Sequence, residues 1–216
     1  MKNSNLKVAV IGLGNIGKVV ASNLVKGKRE VILADKDFAK AKDLAENLGT
    51  LAKPAEIVDA IKAADIVVFA VYFAAIKEIF VQYATELQGK IIVDPSNPIA
   101  PDDKGGFKKI ISQNESSGQI LSTLLPKNAK LAKALGTLGA ASLEKEAFAN
   151  PRKVEFYATD DKSINAEIES LIKDNGFEPV RLGGLDKSIN IEVFGDLHEF
   201  GAIGKAVTLE EATAKI

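Results

Sequence analysis

Apolar and polar positions along this chain follow two periods, and the switch between them outlines the fold. Four runs, Leu6–Ile11, Glu30–Ala34, Asp65–Val71 and Lys90–Asp94, are largely β-branched and apolar. Runs without a polar face predict strands covered on both sides. Between them, apolar residues return every three or four positions. Asn15–Lys26 carries Ile16, Val19, Val20 and Leu24 on one helical face, and Asp37–Leu48 carries Phe38, Ala41, Leu44, Ala45 and Leu48. Ala74–Leu87 repeats the pattern with Ile76, Ile79, Phe80, Tyr83 and Leu87. A short helix over Pro54–Ala63 is expected to start on its proline, where the missing N–H costs nothing.

The second half continues less regularly. Gln119–Leu125 predicts a short helix and Lys130–Leu135 a strand. Val154–Thr159 and Glu178–Leu182 predict strands around a helix at Ser163–Asn175, with Ile164, Ile168, Leu171 and Ile172 inward. Asp186–Phe200 predicts a final helix with Ile189, Val193, Leu197 and Phe200 in a stripe, which covers the domain's own sheet or a second subunit in a homodimer. Residues 95–118 are broken by prolines and by Gly105-Gly106 and Ser116-Ser117. That stretch predicts a long loop, and its part around 99–118 is expected to move on cofactor or substrate binding. The alternation as a whole predicts an α/β, Rossmann-like, doubly wound fold. It would have a mainly parallel sheet, helices on both faces and a short C-terminal extension. We expect one domain over 1–216, with a nucleotide-binding core to about residue 140 and an extension from about residue 150. Asn150-Pro151 would be a loop within it.

Composition narrows the function classes. A net charge of -1 gives no electrostatic case for nucleic acid or an anionic membrane. The chain has no cysteine, which excludes disulfides, thiolate nucleophiles and cysteine metal sites, and it has one histidine, which excludes a multi-histidine metal site. No metal is expected. The polar start is too short for a signal peptide, and no apolar stretch approaches the ~20 residues of a membrane span. A cytoplasmic protein is expected.

The chemistry concentrates in Gly12-Leu13-Gly14-Asn15-Ile16-Gly17, a G-x-G-x-x-G between a predicted strand and a predicted helix. In that context Gly12 permits the tight turn, Gly14 lets a pyrophosphate reach the backbone, and Gly17 lets helix and sheet pack closely. The first N–H groups of the helix would face the phosphates. Asp35 ends the second strand, where an acidic side chain accepts from the adenosine ribose hydroxyls. A carboxylate there repels a 2′-phosphate and favours NAD(H). Lys36 beside it would partly offset that repulsion and leaves NADP(H) open, although a solvated lysine is the plainer reading.

The blocks VAVIGLGNIGK, VILADKDFAKAKDLA, DIVVFAV, IIVDPSNPI, KALGTLGAASL and VEFYATDD occur in an order and spacing that extend over the whole chain. In these the chain resembles the small NAD(P)-binding oxidoreductases related to the deazaflavin-dependent NADP reductases and to the reductase domain of the STEAP metalloreductases. The resemblance implies a Rossmann domain in which hydride passes directly between a nicotinamide and a stacked flavin or deazaflavin. Such a step needs no general acid or base, so catalytic side chains stay unassigned. This chain has Asp35-Lys36 where NADP-using relatives have a Ser-Arg pair, and Gly136 where relatives usually have asparagine.

Further candidates lie at other strand ends, where ligands bind in open α/β sheets. Val71 and Tyr72 follow DIVVFAV and would lie along the pyrophosphate or ribose, or else cover the sheet edge. Asn97 follows IIVD and would bond the nicotinamide ribose or carboxamide, or else serve a proline-flanked turn. Thr137 follows KAL and would approach the nicotinamide from the other side. His198 reads as a surface or interface residue. Gly183-Gly184 reads as a turn, and Lys127, Lys130 and Lys133 read as a solvated face. The expected function is an NAD(P)H-dependent oxidoreductase serving a planar acceptor of flavin, deazaflavin or quinone type. A non-catalytic dinucleotide-binding or sensing module is the alternative. A reductase of imines or small hydroxy acids would add a large helical C-terminal domain that this pattern does not predict.

Overall fold

In the computed structural model, which describes residues 6–216, strand β1 (Val8–Ile11) is buried at all four positions. It is followed by α1 (Asn15–Lys26), β2 (Val31–Ala34), α2 (Phe38–Leu48), β3 (Ala52–Pro54), α3 (Ile57–Ala63), β4 (Ile66–Phe69), α4 (Phe73–Gln82) and β5 (Ile91–Asp94). The second half has β6 (Ile99–Pro101), β7 (Phe107–Lys109), α5 (Ser117–Ser122), β8 (Lys130–Lys133), α6 (Ala140–Lys145), β9 (Val154–Ala158), α7 (Asn165–Asp174), β10 (Glu178–Gly183) and α8 (Leu209–Thr213). Residues 1–5, part of the polar start considered above, lie outside the described residues.

Eight strands form one sheet in the order β10-β9-β8-β5-β4-β1-β2-β3. Pairing is parallel throughout except between β8 and β9, which meet antiparallel at Lys133 and Ala158. This is the expected Rossmann-like sheet. One layer of the core packs α1, α6 and α7 on the sheet through Val20, Leu24, Leu143, Ile168 and Leu171. The other packs α3, α4 and α5 on it through Ala60, Ile61, Ile76, Phe80 and Leu121. Burying each of these Val, Leu, Ile and Phe side chains contributes about 1.5–3 kcal/mol. A smaller cluster of Val154, Phe156, Ile191, Leu197 and Val207 seats the C-terminal segment on β9.

The structure corrects several expectations. Pro54 does not open a helix. It ends β3, the edge strand beside β2, and α3 begins only at Ile57. Proline is tolerated at a sheet edge because its missing N–H removes no ladder bond. The stretch 95–118 is not structureless. It contains the antiparallel hairpin β6–β7, whose turn is held by Asp102 Oδ1 accepting from the N–H groups of Lys104 (2.9 Å) and Gly106 (2.8 Å). The segment 186–200 is not a helix. It forms a 3₁₀ turn at Leu185–Asn190 and then a chain of turns. The Leu197 N–H donates back to the Asn190 carbonyl (2.8 Å), and a Cβ on Gly195 would strike the Ile189 and Asn190 backbone. The helical spacing of the stripe is real, but this doubling back divides it. Leu197 is buried, Ile189 and Val193 are half-buried, and Phe200 is exposed.

Candidate functional site

The glycine loop joins the buried end of β1 to α1, and its three glycines have different surroundings. Gly12 has φ +89°, and a Cβ there would strike Val71 and the Ala70 carbonyl oxygen. Its N–H donates to the Ala34 carbonyl (2.9 Å), so the turn is pinned to β2. A Cβ on Gly17 would collide with the Gly12 carbonyl. Gly14 is exposed, and a Cβ on it would meet nothing within 4 Å. Gly12 and Gly17 are therefore required by packing, whereas at Gly14 the fold itself leaves the space open.

The first turn of α1 has no acidic residue and no side-chain cap. Among the described residues nothing accepts from the N–H groups of Gly14, Asn15, Ile16 and Gly17. Free N–H groups at the positive end of a twelve-residue helix favour an anion. Asn15 is exposed, Ile16 half-buried and Leu13 buried in the core.

Asp35 sits at the end of β2, nearly buried. Its Oδ2 accepts from the Leu13 N–H (2.7 Å) and its Oδ1 from the Asp37 N–H (3.0 Å). The carboxylate thus clamps the glycine loop, and each oxygen keeps accepting capacity for a ligand hydroxyl. Lys36 is exposed beside it with no ion-pair partner among the described residues. Tyr72, just before α4, is 85% exposed, and Val71 beside it is half-buried against Gly12. These residues fit a dinucleotide: open space, unpaired donors and a fixed carboxylate along adjacent strand ends.

Beyond β4 the strand ends hold a different kind of structure. Asp94 is fully buried. Its Oδ1 accepts from the Ser96 N–H (2.7 Å), and its Oδ2 pairs with Lys133 Nζ (2.8 Å). Lys133 also donates to the Ser96 carbonyl and to Ser117 Oγ (2.8 Å). Ser117 Oγ donates to Glu192 Oε1 (2.7 Å), and the buried Glu192 carboxylate accepts from the N–H groups of Ser117 (3.0 Å) and Gly118 (3.1 Å). Lys133 is therefore not part of a solvated face; it is 2% exposed. Burying this ammonium is made tolerable by three oxygen partners and two neighbouring carboxylates.

Asn97 and Thr137 are brought to this end of the sheet, but both are engaged. Asn97 Oδ1 accepts from the Val193 N–H (2.7 Å), and its Nδ2 donates to the Gly136 carbonyl (3.3 Å). Thr137 Oγ1 donates to Glu155 Oε2 (2.6 Å). Ser96 Oγ is buried without a partner among the described residues. His198 is buried, not on the surface, and its Nδ1 accepts from the Phe200 N–H (3.0 Å). Burial pushes its imidazole down to about 4, against the raising effect of a hydrogen bond to the Gly136 backbone, so the ring is neutral. Glu155 is fully buried, with Oε1 unpartnered. Desolvation pushes its carboxyl up to about 8, Thr137 opposes this, and the charge of Glu199 adds to it.

Ser96, Ser117, Glu155 and Glu192 are not among the residues that the sequence marks as candidates. Asp94 carried a signal, a carboxylate inside an apolar run, and so did Glu155. Nothing local marks Glu192, whose partners lie about 75 positions away. Among the described residues no group of three or more possible metal ligands occurs, and no helix is long and apolar enough to cross a membrane.

This fold and this glycine loop are those of a Rossmann dinucleotide-binding domain. Residues 7–98 match the family model described as NADP oxidoreductase, coenzyme F420-dependent. The chain is 23% identical over 186 residues to the metalloreductase STEAP3 of Rattus norvegicus, which covers 86% of this chain and 36% of that protein. It is 45% identical to the glutamyl-tRNA reductase of Campylobacter jejuni over 47 residues, 22% of this chain and 11% of that protein. The chain thus spans only a minor part of these curated relatives. Among solved structures, a hypothetical protein from Sinorhizobium meliloti superposes with TM-score 0.82 at 28% identity, covering 94% of this chain and 95% of that one. An Arthrobacter protein described as a candidate F420-dependent NADP reductase gives 0.76 at 24%, covering 94% and 96%. An Aspergillus terreus imine reductase shares the fold at TM-score 0.63 and 20% identity, covering 86% of this chain and 57% of that one. Over residues 7–98 the chain is thus similar to the F420-dependent NADP oxidoreductases, in line with the resemblance seen in the sequence.

Proposed function

We propose that this protein binds a nicotinamide dinucleotide across the ends of β2, β1, β4 and β5 and is an oxidoreductase for a planar acceptor. The acceptor would be of flavin, deazaflavin or quinone type. The observation that carries this reading is the open space at Gly14, facing unpaired N–H groups and bordered by the fixed Asp35 carboxylate. When bound, the nicotinamide supplies or takes the hydride. The chain's own residues bind and orient. The α1 N–H groups hold the pyrophosphate, Asp35 the adenosine ribose, and Val71 and Tyr72 border the path between them. Asn97 and Thr137 shape the nicotinamide end through their backbone ties and side-chain bonds.

Asp35 favours NADH over NADPH, and exposed Lys36 beside it offsets the repulsion of a 2′-phosphate only in part. Parallel fluorescence titrations with NADH and NADPH test this. Tighter NADH binding that is lost in Asp35→Ser is the expected result, and tighter NADPH binding would reverse it. We read 1–216 as one domain, with the segment after about residue 150 closing the β8–β9 end. A cysteine-free chain agrees with a cytoplasmic location.

One observation favours a second reading. Asn97 and Thr137 already have protein partners, and His198 and Glu155 are sealed from solvent. A binding or sensing module would look the same. Turnover of NADH with menadione or riboflavin supports the enzyme; tight dinucleotide binding without turnover across such a panel supports the module.

A further inference from the structure

The turn at Glu192–Gly195 is held harder than an irregular surface turn requires. Glu192 is bolted by its buried carboxylate to the start of α5, within the network of Ser117, Lys133 and Asp94. The Val193 N–H is bolted to Asn97 (2.7 Å), three residues past the end of β5. The Gly195 N–H closes the turn on the Glu192 carbonyl (2.8 Å), and Gly195 has no room for a side chain. Between these fixed points stands Phe194, with φ +73° and its side chain 52% exposed.

Both features are unfavourable for folding. A left-handed backbone is strained for phenylalanine and free for glycine. An exposed ring recovers little of the benefit of burial. Strain that persists because its surroundings over-determine it is a pointer to function. The location agrees. Asn97 ties this turn to the end of β5, two strands from β1, and adjacent strands lie about 4.8 Å apart. The turn is therefore anchored two strands along the sheet from the glycine loop, on the side where a dinucleotide presents its nicotinamide.

We infer that Phe194 is the contact residue for the second substrate, offering its ring face to a planar heteroaromatic acceptor at the β5–β8 end. This rests on the dinucleotide reading above and deepens it, because it assigns the acceptor side. Aromatic rings pair favourably by offset stacking or edge-to-face contact, and a ring held by its backbone loses little freedom on binding.

Riboflavin is the probe, titrated into the whole chain saturated with NAD⁺ or NADP⁺. Phe194→Ala should weaken riboflavin binding about tenfold, and Phe194→Tyr should stay within about twofold of the parent. Phe194→Trp gives the only tryptophan in the chain, so its fluorescence should be quenched as riboflavin binds. Phe194→Gly should lose riboflavin binding while melting at a higher temperature than the parent, which separates a lost contact from a lost fold. Dinucleotide affinity should be unchanged in all four variants. Parent-like riboflavin binding by Phe194→Ala would overturn the assignment. So would absence of riboflavin binding by the dinucleotide-saturated parent. A dimer that dissociates on Phe194→Ala would overturn it too, since the ring would then belong to an interface. Failure of the parent to bind either dinucleotide is a separate result, which removes the underlying reading.

Discussion

The two halves of the strand-end face are built on opposite principles. The glycine loop is contiguous in sequence, uncharged and open: residues 12–17 and a single remote carboxylate, Asp35, make it. The β5–β8 end is assembled from residues between 94 and 199, carries buried charge and is closed. The first offers backbone donors that the fold leaves unpaired. In the second, nearly every polar atom is already paired within the protein. A backbone cradle needs only local turn geometry, whereas a shaped pocket end needs distant segments locked together, and ionic hydrogen-bonded groups lock geometry at a cost in stability.

The largest effect expected from breaking this contrast is in the closed half. Lys133→Met removes the ammonium and leaves Asp94 and Glu192 buried, costing about 3–5 kcal/mol in denaturant unfolding. Combining it with Asp94→Asn should recover part of that loss, because the buried carboxylate then no longer lacks its partner. If Lys133→Met unfolds at the parent's denaturant midpoint, the network is not load-sharing in the folded state.

In the open half, Gly17→Ala forces its Cβ onto the Gly12 carbonyl and should cost about 3 kcal/mol as well as dinucleotide binding. Gly14→Ala separates the two roles. It should melt with the parent yet bind NADH about tenfold more weakly, since its methyl enters only the open space. Equal effects of the two substitutions on stability would break the distinction between the glycines.

Glu155 sharpens the contrast through pH. Its folded carboxyl titrates near 8 against an ordinary value of 4.5, so the folded state binds more protons between these values. Stability contributed here is complete below 4.5 and is lost as pH rises through 8. His198 acts in the opposite sense. Its folded value near 4 lies below the ordinary 6.5, so it lowers stability as pH falls through that window. From pH 6.5 to 8 only Glu155 of this pair acts, for an expected loss on the order of 1–2 kcal/mol. Glu155→Gln should flatten that limb in thermal melts at pH 6.5, 7.25 and 8; an unchanged slope would place its source elsewhere. The smallest effect is expected at Tyr72. Tyr72→Ala should leave the melting temperature within about a degree, because the side chain is largely solvated, and weaken NADH by a few-fold.

The nucleotide half was legible because its determinants are short-range. Apolar runs without a polar face specified β1, β2, β4 and β5, three- and four-residue spacing specified α1 and α2, and the glycines with Asp35 marked the loop between them. Each of these is a property of backbone sterics or side-chain periodicity within about twenty residues. The other half was misread where one segment's environment is supplied by another. Lys133 looks like a surface lysine until Asp94 and Ser117 enclose it, and His198 looks exposed until the turns after Asn190 fold over β9. The stripe of Ile189, Val193, Leu197 and Phe200 has helical spacing, but Gly195 and Gly201 let the chain turn back on itself, and tertiary contacts outweighed the pattern. Sequence alone thus determined the doubly wound sheet and the geometry of the glycine loop, because local propensity and burial pattern suffice for both. Only the tertiary structure decided which charges are buried, which candidate side chains are already engaged, and that Phe194 is held exposed at the far strand ends. Those outcomes depend on pairings between residues up to about 155 positions apart, and no local pattern encodes them.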